Sequence, residues 1–139
     1  MIIDYNNILS DAQECLSTAT STNVIDTEIS IDSTGYSNIG VGTPIWLHVK
    51  VNTAFTVATS TSTGGYYVFQ DCATSNGTFI NRLQSRDISV TTYVAGYDIL
   101  TVPLPNETLR YVRGRYVSSG ASAATGKIDA FLAAHAPRA

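Results

Sequence analysis

The stretch Gly40–Phe55, GVGTPIWLHVKVNTAF, decides the fold that this sequence predicts. From Pro44 onward, apolar residues occupy every second position, and the positions between them carry Trp46, His48 and Lys50. A period of two is typical of a β-strand with one apolar face and one mixed face. Such a strand is stable when a second layer covers its apolar face, so the stretch predicts a layered β-protein.

Further strand candidates follow one another at intervals of about 8–12 residues, with turn-forming residues between them. They are Val24–Ile31, Tyr36–Val41, Phe55–Thr59, Tyr66–Cys72, Thr78–Leu83, Ile88–Val94, Asp98–Leu104, Leu109–Val117 and Ile128–Ala134. The last one also permits a helix, because Ala and Leu favour helices, but Gly126 supplies no N-cap and we favour a strand. Strands do not alternate with helices, and we predict an all-β, jelly-roll-like two-sheet β-sandwich.

The N-terminal residues 1–23 show no clear periodicity and are predicted to form an extended arm. Residues 24–139 then form a single β-sandwich domain, which is consistent with a length of 139 residues. The arm begins with apolar residues that need burial, either on its own domain or on a neighbour. Ile2, Ile3 and Tyr5 are therefore candidate protein-interface residues.

The composition limits the partners that we expect. Charged residues make up only 14% of the chain, against about 25% in typical soluble domains. The net charge is −3, and nucleic acid is not an expected partner because phosphate binding requires a positive field. A surface with little charge leaves faces on which a protein partner is not repelled.

The N-terminus has no basic region and no long apolar run, so neither a secretory signal nor a membrane span is predicted. Synthesis in a cytoplasm is expected. Cys15 and Cys72 are too few for a disulfide framework, and free buried thiols are favoured over a disulfide.

No pattern in the sequence indicates catalysis. His48 and His135 have no Cys or carboxylate partner at metal-binding spacing, and each is expected to be solvated or locally hydrogen-bonded. The acidic residues are dispersed, and no nucleophile motif or phosphate-binding loop is present. We predict that the protein is not an enzyme and needs no cofactor or metal.

Two groups of side chains are candidates for binding. Seven aromatic residues are more typical of core packing than of a sugar-stacking platform or an interface hot spot; they are Trp46, Tyr66, Tyr67, Tyr93, Tyr97, Tyr111 and Tyr116. The second group is Arg110, Arg113 and Arg115. In an extended strand Arg113 and Arg115 share one face, and all three are predicted to pair with acidic residues of an adjacent subunit.

Several segments, taken in order, resemble the jelly-roll capsid cement proteins of short-tailed bacteriophages. They are Asp11-Ala12-Gln13, Ser21–Asp26, Gly40-x-Gly42-x-Pro44 with the strand that follows, Leu109–Arg113, Tyr116, and Gly126 with Ile128-x-Ala130. The resemblance is spread over nearly the whole chain, so the order of the segments is more specific than any one of them.

The resemblance implies a structural protein of the virion that sits on the outer surface of the phage head and stabilises the lattice of the major capsid protein. It implies synthesis in the host bacterium, no catalytic residues, and self-association, with a dimer favoured over a trimer. A carbohydrate-binding β-sandwich of a tail fibre or host-attachment protein remains the alternative.

Overall fold

The computed structural model describes residues 7–27, 44–59 and 64–134, and the regular secondary structure of this part of the chain is almost entirely β-strand. The strands are β1 (Ile8–Glu14), β2 (Ala19–Thr20), β3 (Ile25–Asp26), β4 (Trp46–Val57), β5 (Gly64–Cys72), β6 (Ile80–Gln84), β7 (Ile88–Ser89), β8 (Asp98–Pro103), β9 (Tyr111–Ser118) and β10 (Ala123–Ala133). A short 3₁₀ helix, Val90–Thr92, follows β7.

The strands form two antiparallel sheets that pack face to face. Sheet I has the order β1-β10-β4-β8, and sheet II has the order β2-β9-β5-β6, with β3 also paired to β9 and β7 to β5. This arrangement confirms the predicted all-β, jelly-roll-like two-sheet sandwich. The core lies between the sheets, because the apolar side chains at alternate positions of the strands in each sheet point toward the other sheet.

Strand β4 has the two faces that its sequence predicts. Leu47 and Val49 are 0% exposed and belong to the core cluster between the sheets. His48, on the opposite face, is also fully buried, and its ring stacks on that of Phe131 with centroids 5.0 Å apart. Phe131 is the residue paired with His48 on the neighbouring strand β10. The histidine is thus packed against an aromatic ring rather than solvated.

Most of the predicted strands are present, with different bounds. The segment Ile88–Val94 contains only the two residues of β7 before the chain turns into the 3₁₀ helix. Of Val24–Ile31, the described part forms β3, and Tyr36–Val41 lies outside the described residues. The C-terminal segment is a strand, β10, as predicted. Strand β8 ends at Pro103 on an edge of sheet I, a position where proline costs no hydrogen bond to a neighbour.

The described part of the predicted N-terminal arm differs from that expectation, because it is integrated into the sandwich. Residues 8–14 form β1, which pairs with β10 at the edge of sheet I. Leu9 is 0% exposed in the core, and Cys15 is 1% exposed. The strand is irregular, since Ala12 has a φ of 45° and donates its backbone N–H to Asp129 Oδ1 over 2.6 Å. The pairing of β1 with β10 also shifts register between Ile8 and Ser10 and again between Ser10 and Gln13. These shifts hide the period of two by which a strand is recognised in a sequence.

Several of the candidate aromatic residues form the core rather than a surface. Tyr67, Tyr93 and Tyr116 are at most 2% exposed. The Phe55 ring packs between the rings of Tyr93 and Tyr116 at centroid distances of 5.2 and 5.5 Å. The Tyr93 hydroxyl donates a 2.6 Å hydrogen bond to the carbonyl of Gly65. Core packing was the expected role of these three tyrosines.

An ion pair between a buried carboxylate and a partly exposed arginine attaches the connection between β8 and β9 to sheet II. Asp71 is fully buried and accepts hydrogen bonds from Arg82 Nε at 3.0 Å and from the backbone N–H of Leu109 at 2.9 Å. Arg82 Nη2 donates a further 3.0 Å bond to the carbonyl of Glu107. One carboxylate therefore holds β6 and the segment that leads into β9.

The stability of the fold should decrease at alkaline pH. Burial, together with the nearby charge of Glu14, raises the pKa of the Cys15 thiol from 9.0 to about 12. Burial also raises the pKa of Tyr67, Tyr93 and Tyr116 above that of an ordinary tyrosine. The folded protein keeps these protons at a pH where the unfolded chain releases them, so the stabilisation is complete below pH 9 and is lost above it.

Urea unfolding with a reductant present, measured from pH 8 upward, checks this prediction. Each buried group contributes a slope of at most about 1.4 kcal/mol per pH unit. The variant Cys15→Ala should show a smaller slope than the wild type over the same range. The range from about pH 8 to about pH 10.5 covers the pKa values of the thiol and phenol groups in the unfolded chain. A free energy of unfolding that does not change over this range would contradict the raised pKa values of the buried groups.

Candidate interaction surface

The outer face of sheet II carries two of the three predicted arginines. Along β9, Val112, Gly114 and Tyr116 are buried toward the core, and Arg113 and Arg115 alternate with them. Since successive side chains of a strand point to opposite faces, both arginines lie on the solvent side of the sheet. Their predicted position on a common face is therefore observed.

Arg113 is held in a fixed orientation by three neighbours. Its Nε donates a 2.8 Å hydrogen bond to Gln70 Oε1, and Gln70 Nε2 donates a 2.7 Å bond to Asn81 Oδ1. The guanidinium carbon lies 4.1 Å from the centroid of the Phe79 ring, in a cation–π contact. Gln70 is 4% exposed, so it cannot easily rotate away. The two terminal nitrogens of Arg113 make no hydrogen bond to any residue that the structure describes.

Arg115 lies beside Arg113 and is exposed. Its backbone pairs with Val68 on one side and with Thr20 on the other, which fixes its place in the sheet. Its guanidinium makes no ion pair within the described ranges 7–27, 44–59 and 64–134. The face thus presents an oriented arginine next to a second arginine with a freely solvated head group.

Arg110 has a different environment, although the sequence places it in the same group. Its Nε and Nη2 donate to the two carboxylate oxygens of Asp26 at 2.7 and 2.9 Å. This bidentate pair connects β3 to the start of β9, beside the β3–β9 ladder of Ile25 and Val112. The carboxylate partner predicted for Arg110 on another subunit is here supplied by its own chain.

The other sequence candidates cannot be placed on this surface. Ile2, Ile3, Tyr5 and His135 lie outside the described residues. Sequence reasoning also missed the residues that orient Arg113. Gln70 lies in the buried strand β5, and Phe79 lies just before β6 in the connection from β5. The sequence contains no local pattern that indicates a contact between either residue and an arginine of β9.

Within the described residues, no group of three or more His, Cys, Asp or Glu side chains is arranged to hold a metal ion. Both described cysteines, Cys15 and Cys72, are buried free thiols, as favoured by the sequence. No helix in this part of the chain is long and apolar enough to cross a membrane.

A model of the Bbp16 family matches residues 9–132, which span the chain from β1 to β10. The chain belongs to the Bbp16 family. The match includes strands of both sheets and the arginine-bearing strand β9 of this Bbp16-family protein. No curated protein matches the sequence at a significant level.

Proposed function

We propose that this protein is a capsid cement, or decoration, protein that binds the outer surface of a phage head and stabilises the lattice of the major capsid protein. The observation that carries the proposal is the arginine face of sheet II, defined here as Arg113, Arg115 and their supporting residues Gln70, Phe79 and Asn81. An acidic chain that places two cations together on one sheet face, with no ion pair to either of them within the part of the chain that the structure describes, has a surface suited to a protein partner.

The architecture supports the same proposal. A two-sheet sandwich presents sheet faces whose side chains are already ordered by packing, which should limit the entropy lost on association. Ser and Thr side chains dominate its polar surface, so contacts to a lattice face little charge repulsion. Many repeated contacts on one shell turn a modest affinity at each site into a strong stabilisation of the whole head. Self-association, with a dimer favoured over a trimer, is part of the proposal.

Counting bound copies tests the function directly. Purified protein is incubated with phage heads assembled without it, the heads are separated by sedimentation, and the bound copies are quantified. A cement protein should saturate at a fixed ratio to the major capsid protein and should raise the temperature at which the heads release DNA. Heads that bind no protein at saturating concentration would refute the proposal.

The N-terminal residues supply a second prediction. Ile2, Ile3 and Tyr5 are apolar residues proposed to dock on a neighbouring subunit, whereas Leu9 is a core residue. The triple variant Ile2→Ser, Ile3→Ser, Tyr5→Ser should therefore bind heads on the order of tenfold more weakly or worse, since each buried apolar side chain is worth roughly 1.5–3 kcal/mol.

The control for that prediction is Leu9→Ala, which should destabilise the domain itself by about 2–5 kcal/mol. The triple variant should show wild-type unfolding in urea and Leu9→Ala should not. Equal head binding by the triple variant and the wild type would remove these three residues from the interface.

The carbohydrate-binding alternative makes a different prediction for the same preparation. Stacking of sugars needs exposed aromatic rings. Tyr67, Tyr93 and Tyr116 are buried in the core, and the other four candidate rings, those of Trp46, Tyr66, Tyr97 and Tyr111, are only partly exposed. A glycan array should therefore show no specific binding. Binding to one glycan class, without binding to heads, would favour the alternative.

A further inference from the structure

We infer that Arg113 and Arg115 form a paired carboxylate-binding site, and that its partner is a protein segment presenting two acidic side chains at alternate positions of an extended strand. The inference rests on the proposed function and specifies the chemistry of the partner. It also separates these two residues from Arg110, with which the sequence groups them.

The spacing of the two arginines sets the spacing of the partner. Arg113 and Arg115 occupy alternate positions of β9, so their Cα atoms are about 7 Å apart. Two acidic residues at alternate positions of an extended strand have the same separation. Such a segment places one carboxylate opposite each guanidinium without bending either backbone.

The orientation of Arg113 makes it the stronger member of the pair. Its Nε is occupied by Gln70 and one face of its guanidinium by Phe79, which leaves its terminal nitrogens to donate outward. A planar pair of N–H donors matches the two oxygens of a carboxylate. Because the side chain is already ordered, less rotamer entropy is lost when the partner binds. Arg115 adds charge and a second contact at the exposed rim.

A carboxylate fits the site better than a phosphate backbone. The chain has a net charge of −3, whereas nucleic-acid surfaces are extended and strongly basic. The remaining polar neighbours, Gln70 and Asn81, are neutral amides already bonded to each other. The face therefore supplies two localised cations, which suits two localised anions.

Head binding by matched variants tests the inference. Dissociation constants for heads are measured with labelled wild type, Arg113→Gln, Arg113→Gln/Arg115→Gln and Arg113→Lys, at several salt concentrations. Arg113→Gln should weaken binding about 30-fold, the effect of losing one interface hot spot. The double variant should bind still more weakly and with a reduced dependence on salt. Arg113→Lys keeps the charge but loses the planar donors, and its affinity should fall between those of the wild type and Arg113→Gln.

Two controls remove the same charge elsewhere. Arg110→Gln breaks the internal pair with Asp26, and Arg86→Gln changes an exposed arginine between β6 and β7. Both should bind heads with affinity within about threefold of the wild type, because surface charge changes away from a contact contribute little. Urea unfolding verifies that every variant is folded.

The possible outcomes separate the two proposals. Wild-type protein that does not bind heads refutes the proposed function. Wild type that binds, together with a double variant that binds equally well, leaves the function standing and overturns the inference. An equal loss in Arg86→Gln would show that net charge alone matters, which also overturns it. A third result would also overturn the inference: the wild type binds a labelled oligonucleotide at about 0.15 M salt and the double variant does not.

Discussion

Replacing Asp71 by Ala should lower the free energy of unfolding by about 1–3 kcal/mol, because it leaves the backbone N–H of Leu109 without its acceptor and removes the carboxylate that pairs with Arg82, whose side chain is 27% exposed. Asp71 is fully buried, and it binds both Arg82 and the N–H of Leu109. Urea unfolding followed by tryptophan fluorescence measures the change. The segment between β8 and β9 should also become accessible to protease in the variant.

Two further variants define the origin of that effect. Asp71→Asn retains an oxygen for Leu109 but loses the charge that pairs with Arg82, so its loss should be smaller than that of Asp71→Ala. Asp26→Ala removes the exposed ion pair to Arg110 and should cost less than about 1 kcal/mol. If Asp71→Ala and Asp26→Ala were equally stable, the buried pair would not be an anchor of the fold.

Replacing Gly114 by Ala should have an effect of comparable size, with a steric cause. The added methyl group would overlap the hydroxyl of Tyr67, which lies directly over Gly114 in the core. Tyr67 is 1% exposed, so the ring has no room to move without displacing the packed layer around it. Overpacking of this kind costs roughly 1–3 kcal/mol and more when the neighbours are rigid. Thermal unfolding of Gly114→Ala should show the loss as a lower Tm.

A second substitution should restore part of the stability of that variant. Among the described residues, the Tyr67 hydroxyl has no hydrogen-bond partner of acceptable geometry, even though the Ser10 hydroxyl is near enough to influence its pKa. Removing it with Tyr67→Phe should be neutral or slightly stabilising, because a buried polar group without a partner is unfavourable. The double variant Gly114→Ala/Tyr67→Phe should recover only part of the loss, because the ring carbons Cζ and Cε1 of Tyr67 would still be too close to the added methyl group. Strictly additive effects would show that the hydroxyl takes no part in the overlap.

The strand pattern could be predicted from the sequence because it depends on local chemistry. The alternation through Leu47 and Val49 identifies β4 and its buried face, since a period of two has one structural meaning. The alternation of Arg113 and Arg115 with buried residues likewise places both arginines on one face of β9. The low charge and the lack of a catalytic motif led to the prediction of a binding or structural role.

Tertiary structure decided the features that depend on residues far apart in the chain. The first strand is irregular, so only its pairing with β10 shows that residues 8–14 belong to the sandwich rather than to an arm. The sequence treats Arg110 and Arg113 alike, yet one is paired with Asp26 and the other is oriented by Gln70 and Phe79. Local periodicity determines which face a side chain occupies, but only the assembled sheets determine which distant groups it meets there.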